Sequence, residues 1–343
     1  MGQARTSKTA APLVGGASRT LDAALNLQRK AAIAGGRATD HAGRVQVVPM
    51  KDFDMARTIF GGVRGALPRM VLKAKLANEV YWSDSAVNAI ESAYAESERE
   101  HPAPSVDSRL IDFMVEECDF SMEHADGSFL QHLVFCHDYS AKHFPEHSPN
   151  VALLHSILGT ATNTFPMGVD KLPKLQALLT DFEMRQIEAF PSLLRLFYDG
   201  ALLPELTRNL SRLDAFEALH FHRIIDNAPI RIEADDFWIS LNYHLMHFVD
   251  FMPAANWGAH LSDPLLLQFR ELSTFLDKAG QRRARVEVDF PDGSNTGIGE
   301  FQTVGGRISK MIPLAVKKTL ARKSIRDYSQ KLGHRLDYRI EWR

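Results

Sequence analysis

Apolar residues recur at steps of three and four over much of residues 83–252, the period of helices that bury one face. Val87, Ile90 and Tyr94 set one such stripe, and Ser83 or Asp84 stands where an N-cap belongs. After the breaker His101-Pro102-Ala103-Pro104 the stripe resumes at Leu110, Phe113 and Met114. Ser128 and Gln131 form a capping-box pair, and the helix they open carries Phe129, His132, Leu133 and Cys136 along one face. Pro145 and Pro149 bound a loop, and Val151 to His155 begins the next apolar helix. Residues 172–198 read as one or two helices, with Pro191 forcing a kink or a break. Two further helices are expected at 212–225 and 235–252. Asp235 or Asp236 caps the second, which brings Phe237, Leu241, His244, Phe248 and Phe251 to or near one face.

One region alternates instead. Arg285 to Phe290, the turn-rich run Pro291–Gly299 and Phe301 to Val304 read as a hairpin appended to a helical body. Beyond it, Ile312, Leu314, Val316 and Leu320 are interleaved with Lys317, Lys318, Arg322 and Lys323, a basic amphipathic pattern. Residues 1–45 are rich in Ala, Gly, Ser, Thr and Arg, have no sustained period, and read as a flexible tail. The expected organisation is a basic tail (1–50), a helical lead-in (51–105), a helical core (106–255), a connector with the hairpin (256–303) and a basic C-terminal segment (304–343). The fold class is mainly α.

Composition narrows this picture. With 343 residues, 45% hydrophobic and 24% charged, the chain has ample apolar surface for a core, which excludes disorder throughout. Two cysteines make no disulfide framework, so Cys118 and Cys136 read as reduced thiols in a cytoplasmic protein. The tail composition also fits import into an organelle. No stretch approaches the roughly 18 apolar residues of a membrane span. The net charge of -2 conceals an asymmetry. Residues 1–50 carry seven Lys/Arg against Asp22 and Asp40, and residues 304–343 carry eleven against Asp327, Asp337 and Glu341, which leaves -15 on the middle. The basic C-terminal segment is therefore a candidate contact for an acidic partner, with nothing to specify a nucleic acid.

Ten of the 14 histidines lie between His124 and His247. Imidazole is a common ligand for Fe and Zn and a common acid–base group. A metal site in a helical bundle needs ligands from several helices aimed at one core. His132, His155 and the pair His244/His247, followed by Asp250, sit in apolar surroundings on three expected helices. One member of a pair such as His244/His247 is expected to face solvent. His137, His143 and His147 fall near a helix end and a loop, where solvated imidazoles are ordinary. Cys136 and Ser156 lie near histidines but in no nucleophile-elbow or triad context. There is no CxxC, HExxH or P-loop, and Gly297-Ile298-Gly299 is a turn.

The stretch 120–200 resembles the HD-domain superfamily of metal-dependent phosphohydrolases and its oxygenase branch. It looks closest to a poorly characterised group with His-Ser-Asp, then Leu-x-x-His-Leu, then Leu-Phe-His-Ser-Ile-x-Gly-Thr and a helix with a central Glu. Here His124-Ala125-Asp126, Leu130-Gln131-His132-Leu133 and Leu153-Leu154-His155-Ser156-Ile157-Leu158-Gly159-Thr160 stand at those places. Leu175 to Leu179, leading to Ile187-Glu188-Ala189-Phe190, fits the last helix. The resemblance implies an HD-like bundle with Fe, Mn or Zn held by His132, His155 and His247 or Asp250. It implies hydrolase or oxygenase chemistry on a small molecule, with His124 and Glu188 as proton-transfer candidates. The Asp of the wider superfamily's His-Asp pair is Ser156 here, and a neutral hydroxyl is a poor substitute for a ligating carboxylate. Either one ion binds through the remaining residues, or the chain is a non-catalytic descendant that binds a ligand or a partner without metal.

Overall fold

The three-and-four stripes fold as helices, and the protein is mainly α-helical with small antiparallel sheets. The structure is a computed structural model that describes residues 16–35, 44–49, 66, 77–118, 123–124, 127–160, 167–254, 264–287, 311 and 313–343. Among the described residues no helix is long and apolar enough to cross a membrane.

The N-terminal part departs from the expected flexible tail. Strand β1 (Gly16–Thr20) leads into helix α1 (Leu21–Gly35), and β1 and β2 (Arg44–Pro49) flank β3 (Ala77–Ser83) in an antiparallel sheet. Leu27, Ala31, Ala32 and Ile33 are buried. Two of the four are alanines, so the inward face of α1 shows as only a faint apolar stripe. Helices α2 (Asp84–Glu100) and α3 (Ser108–Cys118) follow, and α1 packs on α2.

The central body begins with the short pair β4 (Glu123–His124) and β5 (Gly127–Ser128). Then come α4 (Phe129–His143), α5 (Pro149–Leu154), α6 (Leu172–Gln176) and α7 (Asp181–Asp199). The break in 172–198 falls before Thr180, and α7 runs on through Pro191. Phe190, Leu193 and Leu194 are buried around that proline, and their packing compensates the hydrogen bond it cannot donate. Glu183 ties two helix starts together. One oxygen completes the Thr180 capping box of α7, and the other accepts from Ser148 Oγ (2.5 Å), the N-cap of α5, and from Asn150 (2.9 Å). Gly200, at φ 74°, closes α7 in the left-handed conformation that glycine adopts at least cost.

After α8 (Leu202–Arg208), the expected helix at 212–225 is instead β6 (Phe216–His222). Phe216, Ala218, Leu219 and Phe221 are all buried, so both faces of the strand are apolar and its period is ambiguous in sequence. It lies at the centre of an antiparallel sheet between β7 (Pro229–Glu233) and β8 (Arg339–Trp342). Helix α9 (Ala234–Ala254) matches the expected 235–252 and packs against α1, α4, α7 and β6. Helices α10 (Pro264–Lys278) and α11 (Leu314–Leu332) complete the body, α11 lying on α7 and α10. The hairpin expected at 285–304 lies almost wholly outside the described residues. Two apolar clusters fill the interior, and α4 and α5 contribute to both.

Candidate metal centre

His132 is one turn into α4, and Cys136 follows it by four residues on the same face. His155 stands just past the last turn of α5, and His247 and Asp250 are three apart on α9. His132, Cys136, His155, His247 and Asp250 are all buried. The expected convergence of three helices is therefore observed. The His247 ring packs edge-on against His155 (centroids 4.6 Å apart) and His132 (5.4 Å). One potential ligand atom from each of His132, Cys136 and His155 falls within 4.8 Å of the other two.

Hydrogen bonding fixes which ring nitrogens face inward. Asp250 Oδ2 lies 2.8 Å from His132 Nδ1. The same carboxylate is gripped by Arg29 of α1, Nε to Oδ1 at 2.7 Å and Nη2 to Oδ2 at 2.9 Å. Burial pushes the Asp250 carboxyl up, but the Arg29 charge and the bond from His132 outweigh it and hold it well below the usual range. An ionised carboxylate only accepts, so His132 Nδ1 carries the hydrogen. His155 Nδ1 is 2.6 Å from the carbonyl of Ala152, another acceptor, and carries its hydrogen too. In neutral rings each Nε2 then carries a lone pair in place of a hydrogen, and the two atoms lie 3.3 Å apart.

Two lone pairs at that distance repel unless a cation, either a proton or a metal ion, lies between them. A tetrahedral ion with N ligands at 2.0–2.1 Å spaces them by roughly 3.3–3.4 Å. Cys136 Sγ lies 3.9 Å from both His132 nitrogens, beside the ring, and joins an ion on Nε2 through a change of its side-chain rotamer. The residues present thus fit a metal: His132, Cys136 and His155 form a buried group that could hold one. The carboxylate behind His132 is the outer-shell partner that ligating imidazoles commonly use.

The other expected site residues are placed differently. Asp250 stands behind His132 with Arg29 on its far side, and it reaches the imidazoles through Nδ1. Glu188 is paired with Arg223, just beyond β6, instead of reaching the imidazoles. The side chain of His124 lies outside the described residues. Ser156 is buried beside His155. Neither His244 nor His247 faces solvent. His244 stacks on Phe190 (3.9 Å), and its nitrogens lie against the carbonyls of Ser240 and Phe190, which makes it a brace. Burial lowers its pKa to about 4. His247 is also held well below the ordinary imidazole value, by burial and by the neighbouring imidazoles. His137 is buried against Asp138, and His143 binds the Ile33 carbonyl, so neither is the solvated imidazole expected.

Sequence reasoning did not single out Cys136 as a ligand or Arg29 as part of the centre. The i, i+4 spacing after His132 was a usable signal for Cys136. Arg29 gave none, because its partner lies 221 residues away. The chain matches no protein-family model, no curated protein and no solved structure.

Proposed function

We propose that this protein is a metal-binding protein whose ion is held by His132 Nε2, His155 Nε2 and Cys136 Sγ. One observation carries this reading: both Nδ1 atoms are committed to acceptors while the two Nε2 atoms, each with a lone pair, lie 3.3 Å apart. The test is metal analysis of the purified chain, before and after anaerobic loading with Zn(II), Fe(II) or Mn(II). About one equivalent is expected, and Co(II) substitution should give a thiolate charge-transfer band that Cys136→Ser removes. His155→Ala should abolish binding while the far-ultraviolet helical signal persists. Less than about a tenth of an equivalent of every ion would sink the reading.

The enzymatic reading implied by the HD resemblance extends from this one. Three protein ligands leave a tetrahedral ion one further position, as catalytic zinc sites do. When bound, such an ion polarises a small-molecule substrate or generates hydroxide from water near neutral pH. We favour a hydrolase over an oxygenase, because Asp250 is engaged by Arg29 and so does not complete a set of two imidazoles and a carboxylate. His247→Ala separates an open, catalysis-competent site from a closed one. Full ion content in that variant supports an open position. A loss well beyond the about 10- to 100-fold of an outer-shell change instead assigns His247 as the fourth ligand of a closed site.

A further inference from the structure

We propose that two copies of this chain join through the outer edge of β8, in antiparallel register about Ile340, as a two-fold dimer with one continuous sheet. The inference stands apart from the metal centre. The sheet order β7-β6-β8 leaves β8 at an edge among the described residues. Ladder parity decides which backbone groups face that edge. The Arg343 N–H donates to the Ala215 carbonyl at 2.7 Å, so the backbone of Arg343, and by alternation that of Glu341 and Arg339, points towards β6. The register shift in this pair falls between Phe216 and Ala218 on β6, which keeps the alternation along β8 intact. The N–H and C=O groups of Ile340 and Trp342 therefore point away from β6, and no backbone group among the described residues meets them.

Such a row of groups is a template for another strand, and charges of one sign along it keep copies apart. Here the signs differ: Arg339 and Glu341 flank Ile340. With Ile340 opposite Ile340, each Arg339 faces the Glu341 of the second copy, and the pair occurs twice. Registers centred one residue away set Arg339 or Glu341 against its own copy. Parity agrees with the Ile340 register. Ile340 forms a hydrogen-bonded pair whose residues exchange both bonds, and Arg339 with Glu341 forms the other kind of pair, whose side chains lie closer. The Arg339 side chain is 65% exposed and can reach across. The Glu341 carboxylate keeps lone pairs beyond those met by His220 and Arg231. On the opposite face, Ile340 and Trp342 are only half-buried against the core, and a second copy covers more of them. The strand is short, so the dimer is weak and concentration-dependent.

Sedimentation velocity of the full chain over a range of concentrations is the test. Wild type should show a monomer–dimer equilibrium that high salt weakens. Arg339→Glu and Glu341→Arg each set like charges opposite one another twice, and each should raise the dimer dissociation constant by about tenfold or more. An equimolar mixture of the two variants restores both opposite-charge pairs and should form a heterodimer close to wild type in affinity. Should Glu341→Arg fail to fold, Ile340→Pro decides. The Ile340 nitrogen faces away from β6, so proline spares the intramolecular ladder and removes the central bonds of the interface. That variant should be monomeric with an unchanged helical signal. A wild type that stays monomeric overturns the proposal. So does hydrogen exchange in which the Ile340 and Trp342 amides are equally protected at every concentration, since another segment of the chain then covers the edge. A dimer that persists in Arg339→Glu and Ile340→Pro overturns β8 as its interface, and a mixture of folded variants that fails to associate overturns the register.

Discussion

Arg29 and Lys30 are neighbours on α1, and each holds both oxygens of a carboxylate at nearly the same distances. Arg29 meets Asp250 at 2.7 and 2.9 Å, and Lys30 meets Glu91 of α2 at 2.8 and 2.7 Å. Burial separates them. The Arg29 and Asp250 side chains are 7% and 1% exposed, those of Lys30 and Glu91 35% and 46%. Water screens the second pair and competes for both partners, so its worth is small at any distance a structure records. The first pair has lost its water, and each charge depends on the other. One face of α1 is therefore bound by solvent-screened contacts, while the other locks the helix to the imidazole cluster. Distance alone does not rank ion pairs.

The comparison can be broken most sharply at Asp250. Asp250→Ala leaves Arg29 buried without its counter-charge and His132 without its acceptor, and should cost about 3–5 kcal/mol in denaturant unfolding. A cost under about 1 kcal/mol would put the two faces of α1 on a level. Glu183 offers an intermediate case, a buried carboxylate held by neutral donors in place of a cation. Burial pushes its pKa up, but bonds from Ser148, Thr180 and Asn150 outweigh that and lower it. Glu183→Ala should cost about 1–3 kcal/mol. The wild-type contribution should be present above the unfolded carboxyl value and lost as pH falls through the lower folded one.

His334 tests the opposite strategy, in which a buried group sheds its charge. Burial and the nearby Arg195 charge lower its pKa to about 4, against the opposing pull of the His222 carbonyl that its Nε2 meets and of Asp337. The folded state thus binds fewer protons than the unfolded state between the ordinary value of 6.5 and about 4. Stability from His334 is full above that window and lost as pH falls through it. Relative to His334→Gln, wild type should lose up to about 1.4 kcal/mol per pH unit across it. Equal slopes would mean that His334 stays exchangeable with water. The smallest effect belongs to the exposed pair: Glu91→Ala should change stability by about 0.2–1 kcal/mol, and less at high salt. A larger, salt-independent effect would show that α1 is held on both faces.

The sequence made some of this legible. The α9 boundaries follow from Asp235/Asp236 and a strong apolar stripe, and His132, His155 and His247 converge because each stood on an apolar helix. The chemistry between those residues was less legible. The inward-facing nitrogens are set by Asp250 and by the Ala152 carbonyl, and no local pattern encodes a tautomer. Strand β6 was hidden because apolar residues on both of its faces leave no alternation. Helix α1 was hidden because alanines make a weak stripe and its decisive residue is charged. Pro191 marked a break that packing around Phe190 overrides.

Strand β6 has two neighbours reached on different timescales. It pairs with β7 after a short turn, from His222↔Pro229 outward, but with β8 across more than a hundred residues, as in Phe216↔Trp342 and Leu219↔Ile340. The hairpin closes early, whereas the second pairing waits for a distant segment. Until then the outer edge of β6 is an open, apolar strand edge, the template on which chains aggregate. Strand β8 is thus an intramolecular edge cover, and refolding yield should fall with protein concentration until it docks.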